Sequence, residues 1–164
     1  MKLISLRWFS YTVWEQGKGV EYTFFFQKDG KPISPWHDIP LKNSDGTFNA
    51  VIEIPNDRIA KMECAADEPL NPIKQDTQKN WFTGETQLRY YAKFPYFNYG
   101  FLPQTWENSL LKNKKGYLGD DDPLDICELS SSAFKIGDVW KVKILGALEL
   151  IDQNELDWKI LCID

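Results

Sequence analysis

Asp120, Asp121, Asp122 and Asp125 put four carboxylates into six residues of the chain. Like charges this close raise one another's pKa unless something positive sits among them. A divalent cation is the usual remedy, and a donor set made only of oxygen favours magnesium, calcium or manganese over zinc. Pro123 stiffens the segment and removes a backbone donor, which restricts how Asp120, Asp122 and Asp125 can spread. The segment reads as a hard-cation site, with a solvated acidic turn as the plain alternative. Two other metal motifs fail. Counted from Asp120, the fifth, sixth and twelfth places of a calcium EF-hand loop hold Leu124, Asp125 and Ser131 rather than an acceptor, Gly and Glu. A phosphatase DxD loop follows a buried apolar strand, whereas Lys114-Lys115-Gly116-Tyr117-Leu118-Gly119 stands here.

Strands supply most of the elements that could position such a loop. Val20-Glu21-Tyr22-Thr23-Phe24-Phe25-Phe26 is aromatic and β-branched, and Lys28-Asp29-Gly30 offers a tight turn after it. Residues 49–54 read as a strand ended by Pro55, and residues 60–64 alternate apolar and charged side chains. Residues 139–145 and 147–151 read as two strands parted by Gly146, and residues 157–163 follow an acidic turn as another. Amphipathic helices are scarce. Short strands with turn punctuation predict a small closed or partly closed barrel.

Alternation adds detail, because residues two apart in a strand share a face. Lys61 and Glu63 therefore point the same way, as do Asp157 and Lys159, each pair opposite an apolar face. Together with Asp120, Asp122, Asp125 and Asp152 they make one polar cavity plausible. Carboxylate-held magnesium with interleaved Lys61, Arg89 and Lys159 suits a phosphate substrate: the ions neutralise phosphate oxygens and the side-chain cations clamp the remaining charge.

Composition bounds the alternatives. The 164 residues are one domain's worth, and 43% apolar with 15% aromatic side chains are enough for a core. A net charge of −5 argues against a general nucleic-acid binder. No apolar run approaches the roughly 20 residues that span a bilayer. Residues 1–9 are apolar and mildly basic but lack the core and cleavage site of a secretory signal. Cys64, Cys127 and Cys162 read as buried free thiols of a reducing compartment, the cytoplasm first and the mitochondrion as alternative. His37, the one histidine, sits in Pro35-Trp36-His37-Asp38-Ile39-Pro40, read as a packed, extended and structural segment. Residues 80–86 read as a surface insertion carrying Trp81 and Phe82, and residues 112–116 as a solvated basic turn.

The run Gly119-Asp120-Asp121-Asp122-Pro123-Leu124-Asp125-Ile126-Cys127-Glu128 closely resembles the signature loop of soluble family I inorganic pyrophosphatases. Ile33-Ser34-Pro35-Trp36-His37-Asp38-Ile39-Pro40, Leu70-Asn71-Pro72-Ile73-Lys74-Gln75-Asp76 and Asn98-Tyr99-Gly100-Phe101-Leu102-Pro103-Gln104-Thr105-Trp106-Glu107 resemble the eukaryotic branch in the same order, as does residues 150–159. The resemblance implies magnesium-dependent hydrolysis of pyrophosphate to two phosphates, with two or more Mg2+ ions and Mn2+ as a substitute. It implies a mainly β, α+β fold: a five-stranded OB-like barrel with peripheral strands and few helices, forming one domain over residues 1–164, with 1–10 as an extension. Asp120, Asp125, Asp152 and Asp157 match the direct metal ligands, and Glu63 matches an acid that holds metal-bound water. Asp122 matches the carboxylate that orients or deprotonates the attacking water. Lys61, Arg89 and Lys159 match phosphate-binding cations, Tyr99 a tyrosine near phosphate or nucleophile, and Glu53 an acid of the cavity.

The chain departs from the pattern in several places. The connection between Asp76 and Arg89 is longer, which could displace Arg89, and residues are lacking between Pro95 and Asn98, which weakens the match of Tyr96 to the family's second pocket tyrosine. The turn Asp152-Gln153-Asn154-Glu155-Leu156-Asp157 lacks the family's Gly and Thr before its last Asp but keeps both end carboxylates. The family's later Tyr-Lys pair and covering helices have no counterpart in the residues given, and a missing cover predicts exposed apolar surface. Two functions follow: a pyrophosphatase, or a non-catalytic pyrophosphatase-like subunit that binds metal or a protein partner in an assembly. The partners implied are pyrophosphate or phosphate and a second copy in a homodimer, with no nucleic acid and no membrane.

Overall fold

A computed structural model describes residues 11–164, so the expected extension at residues 1–10 lies outside the described residues. Among the described residues there are twelve strands: β1 (Tyr11–Gln16), β2 (Thr23–Lys28), β3 (Lys31–Ile33), β4 (Phe48–Ile54), β5 (Met62–Cys64), β6 (Ile73–Gln75), β7 (Thr77–Lys79), β8 (Thr86–Leu88), β9 (Asn98–Phe101), β10 (Asp125–Glu128), β11 (Val139–Asp152) and β12 (Glu155–Ile163). A single 3-10 turn, Gly19–Glu21, is the one helical element among the described residues. The aromatic run predicted to start at Val20 therefore becomes a strand only at Thr23, after Gly17 and Gly19 have turned the backbone through positive φ.

Five strands close on themselves in the order β10-β12-β11-β4-β9, with β9 paired back to β10. This is the expected five-stranded barrel. β10 and β12 run parallel and the other barrel pairs antiparallel. Residues 139–145 and 147–151 are one strand rather than two. Residues 139–142 pair with β4 and residues 143–152 with β12, and a bulge between Ile144 and Gly146 lies within the β12 pairing. A bulge absorbs the strain of turning a barrel corner without ending the strand.

β4 is buried on both faces, and this explains why its sequence shows no polar alternation. Ala50 and Ile52 pack with Leu102, Ile126, Phe134 and Val142 in one core, and Val51 and Ile54 pack with Phe24, Phe26, Met62 and Phe101 in the other. Ile52 and Ile54 would share a face in a regular strand. A second bulge between them, where β4 meets β9, sends them to different cores and re-aims Glu53. Gly100 closes the seam: a Cβ there would stand 1.9 Å from the Val51 carbonyl oxygen. Each fully buried Ile or Phe contributes about 1.5–3 kcal/mol.

The second core lies between the barrel and the outer sheet β1-β2-β6-β5, with β3 at its edge. Asp29 and Gly30 both take positive φ between β2 and β3, the geometry of a tight hairpin turn. The segment around His37 is a turn, not extended, because Asp38 N–H bonds back to the Ser34 carbonyl; His37 is exposed and stacks on buried Trp36 at 4.7 Å. No helix among the described residues is long and apolar enough to cross a membrane.

Candidate active site

Three pieces of chain bring the charged residues together. The first is β5 with its neighbours. β5 pairs with β6 so that Met62 faces Gln75, and the next step of that register sets Lys61 beside Asp76. Lys61 donates to Asp76 at 2.7 Å and to Glu63 at 2.8 Å, and the Arg89 guanidinium also donates to Asp76. Backbone bonds lock the same corner: Asp76 N–H to Lys61 O, Arg89 N–H to Asp76 O, and Lys61 N–H to Arg89 O. The longer connection before Arg89 is the hairpin β7–β8, which grows outward from this locked root and leaves Arg89 beside Lys61.

The second piece is the parallel pair β10–β12, whose register puts Asp125 opposite Lys159. Lys159 donates to Asp125 at 2.5 Å and also to Asp157, and Tyr99 on β9 donates its hydroxyl to Asp125 at 2.5 Å. The third is the loop before β10. Asp121 takes φ 76° and turns its side chain away from the cavity, where it accepts from Trp106 Nε1–H and Ser109. Asp120 and Asp122 face the other way.

A cavity of about 90 Å³ lies between the pieces, lined by Glu53, Lys61, Glu63, Tyr91, Tyr99, Asp122 and Asp125 among others. That volume suits a few waters or a hydrated ion. Glu53 is buried and accepts from Cys64 N–H at 2.6 Å.

Without a counter-ion several of these acids keep their protons to higher pH than an isolated carboxyl group does. Burial, then the charges of Asp120, Asp125 and Glu63, raise Asp122 to about 7. Burial raises Asp125 to about 6 even though Lys159 and Tyr99 pull it down. Glu107 rises to about 7 by burial, with Asp120 and Asp157 adding to it against the Trp158 N–H, and Asp120 and Glu53 are raised as well. The cations keep their charge. Burial works against Lys61 and Lys159, but their carboxylate partners outweigh it and raise both. Asp76 resists burial through Lys61 and Arg89 and stays below the usual carboxylate range.

The donor chemistry fits a hard dication. Carboxylate oxygens of Glu107, Asp120 and Asp157 lie within 4.8 Å of one another, the spread of oxygens that each sit roughly 2.0–2.6 Å from a shared magnesium or calcium ion.

Of the residues named from sequence, Asp120, Asp122, Asp125, Asp157, Glu63, Lys61, Arg89, Lys159 and Tyr99 fall in these three pieces, and Glu53 reaches the cavity from β4. Asp152 does not. It is exposed at the end of β11, where the β11–β12 hairpin turns through Gln153 and Asn154 at positive φ. Tyr96 is 95% exposed, and the second tyrosine at the cavity is Tyr91. Asp76 and Glu107 belong to the site although the sequence assigned them no role. Alternation would have found Asp76 had the β5–β6 register been known; Glu107 left no such signal.

The chain matches the Inorganic pyrophosphatase family over residues 50–164. It is 51% identical over 142 residues to soluble inorganic pyrophosphatase 6, chloroplastic, of Arabidopsis thaliana, covering 85% of this chain and 45% of that protein. It is 44% identical over 152 residues to the inorganic pyrophosphatase of Bos taurus, covering 88% and 50%. The type I inorganic pyrophosphatase of Toxoplasma gondii superposes with a TM-score of 0.82 at 41% identity, over 93% of this chain and 68% of that one. The chain thus spans about half the length of the relatives it matches. A closed five-stranded barrel, the acidic loop entering β10 and this degree of identity place the chain in the inorganic pyrophosphatase family.

Proposed function

We propose that this chain carries the hydrolytic centre of a magnesium-dependent inorganic pyrophosphatase. The observation that carries the reading is a small cavity lined by Lys61, Glu63, Asp122 and Asp125, with Arg89 tied to Lys61 through Asp76, Lys159 bonded to Asp125 and Asp157, and Asp120 clustered with Asp157. Cations in that pattern suit an anion with several oxygens, and carboxylates in that pattern suit the dications that accompany it. Asp120 and Asp157 would hold a Mg2+ ion, Asp125 and Glu63 would add oxygen donors or bind its water, and Mn2+ would suit the same donors. Magnesium bound there supplies charge neutralisation of the substrate oxygens and a lowered pKa for water.

The chain's own residues do the rest. Lys61 and Arg89 leave Asp76, and Lys159 leaves Asp157, to take up phosphate oxygens, so substrate exchanges one set of ion pairs for another. Asp122 lines the cavity and accepts the proton of the attacking water. A bond forms from that water's oxygen to one phosphorus as the bridging P–O bond breaks, and the second phosphate leaves. Tyr99 holds Asp125 in place through its hydroxyl, and Glu53 anchors β5 through Cys64 N–H.

Phosphate release from pyrophosphate with millimolar MgCl2 tests this. Asp122→Asn should lower the rate by about 10²–10⁴, the range for loss of a general base. Equal, negligible rates for folded wild type and variant would end the catalytic reading. A second reading, a pyrophosphatase-like subunit that binds metal or a protein partner without turnover, is favoured by the exposed apolar side chains Leu145, Leu148 and Leu150 on β11. Magnesium binding without phosphate release would select it. A homodimer is the partner we infer for that apolar surface, and the buried free thiols Cys64, Cys127 and Cys162 fit a reducing compartment such as the cytoplasm. Residues 1–164 are read as one domain.

A further inference from the structure

Glu107 is 5% exposed, and its backbone and side chain join the two elements that carry the acids. Its N–H donates to the Asp122 carbonyl at 2.8 Å, and its own carbonyl accepts from Asp121 N–H at 3.1 Å. Next to it, Asn108 accepts from Gly119 N–H at 2.9 Å. Gly119 has to be glycine, since a Cβ would meet the Glu107 carbonyl carbon at 2.3 Å. These contacts fasten residues 107–108 to the acidic loop. The side chain reaches across to β12, where its Oε1 accepts the N–H of Trp158 at 2.7 Å, between Asp157 and Lys159. A carboxylate oxygen of Glu107 also stands within 4.8 Å of one on Asp120 and one on Asp157.

A strap between loop and strand does not call for a charge. Glutamine has the same reach, its amide oxygen could accept the Trp158 N–H, and it would spare the cost of a third nearly buried negative group facing two others. A charged carboxylate at this position is favourable where a cation offsets it.

We propose that Glu107 is itself a cation ligand, completing with Asp120 and Asp157 an all-oxygen site for one divalent ion, while its bond to Trp158 N–H fixes the spacing between loop and strand. The inference rests on the pyrophosphatase reading for the class of ion and adds a ligand to it.

Two measurements on the whole chain test it. In the first, MnCl2 and MgCl2 are titrated into wild type and Glu107→Gln by calorimetry, with circular dichroism and metal-free melting as the check on folding. The variant should keep the fold and a metal-free melting temperature at least equal to wild type, and bind either ion at least tenfold more weakly. Equal affinities would overturn the proposal. The second needs no variant and so survives a folding defect: the side-chain carboxylate 13C signal of Glu107 in wild type is followed through a MgCl2 titration. It should shift with the same midpoint as that of Asp120, and an unmoved Glu107 signal at saturation would overturn the proposal. Failure of the hydrolase reading looks different. A wild type that releases no phosphate yet shifts Glu107 with magnesium supports the ligand assignment and rejects turnover.

Discussion

Asp125 and Lys159 stand directly opposite each other on the parallel strands β10 and β12, and their side chains meet at 2.5 Å. Lys159 also bonds Asp157, so one ammonium serves two carboxylates whose side chains are only 21% and 16% exposed. Replacing it with Met should leave both acids without a counter-charge. Removing one partner of a fully buried pair costs about 3–5 kcal/mol, and water at this open site reduces the expected loss to about 1–3 kcal/mol. Magnesium should return most of that stability, because it supplies the missing charge. Urea unfolding of wild type and Lys159→Met with and without MgCl2 measures it; a deficit that magnesium leaves untouched would contradict the shared-charge account.

The metal-free chain should lose stability as pH rises from about 4 to 8. Asp122 and Glu107 sit at about 7 and Asp125 at about 6 when folded, against roughly 3.9 for Asp and 4.3 for Glu in an unfolded chain. Between those limits the folded state holds more protons, so the slope of stability with pH is negative. The contribution is fully present below the unfolded values and gone once pH passes the folded ones. Asp76 acts with the opposite sign, since Lys61 and Arg89 overcome its burial and depress it, but its window lies below about pH 4. Magnesium favours the ionised acids and should remove or reverse the slope above pH 6. Melting temperatures across pH 4–8, with and without MgCl2, decide the matter. A metal-free midpoint that climbs with pH would refute the crowding of uncompensated acids.

What sequence could reveal of this site follows from the range of each signal. Lys61 with Glu63, and Asp157 with Lys159, were legible because alternation acts over two residues, and both pairs are bonded in the structure. Asp120, Asp122 and Asp125 were legible from density of charge alone. Asp76 depends on the β5–β6 register and Glu107 on a contact between residues 107 and 119–122 that no periodicity announces. The barrel was readable as a set of short strands, but its two bulges were not: the one near Gly146 made a single strand look like two, and the one at Glu53 hid a change of face. Asp152 was assigned by position in a motif, and it stands exposed at the β11–β12 hairpin; Tyr96, flanked by a shortened segment, is exposed as well.

The hairpin β7–β8 should be separable from the chemistry at its base. Trp81 and Phe82 at its tip are 82% and 76% exposed, and the turn holds itself through Asn80, which accepts from Phe82 and Thr83 N–H. Changing both aromatics to Ser should alter stability by no more than about 0.5 kcal/mol, the usual range for surface positions, and leave pyrophosphate turnover within twofold. Asp76→Asn, at the root, should act differently: it frees Lys61 and Arg89 from their shared partner and should change KM for pyrophosphate more than the tip variant does. Steady-state kinetics of the two side by side would expose the error if the tip variant were the more damaged.

Gly119→Ala should uncouple the acidic loop from residues 107–108 without touching any carboxylate. The added methyl would stand 2.3 Å from the Glu107 carbonyl carbon and 2.5 Å from its oxygen, both backbone atoms that cannot swing aside. The loop or the 107–108 segment has to move, and forced overpacking of this kind costs about 1–3 kcal/mol. The same shift moves Asp120 relative to Asp157, whose spacing the Glu107–Trp158 bond sets. Magnesium affinity should therefore fall together with stability, whereas Gly30→Ala, at a turn where a Cβ would meet nothing within 4 Å, should cost stability through its positive φ and leave magnesium affinity unchanged. Paired melting and calorimetric titrations of the two variants separate backbone strain from site geometry, and a Gly119→Ala chain that binds magnesium as wild type does would show that the loop is held by something other than residues 107–108.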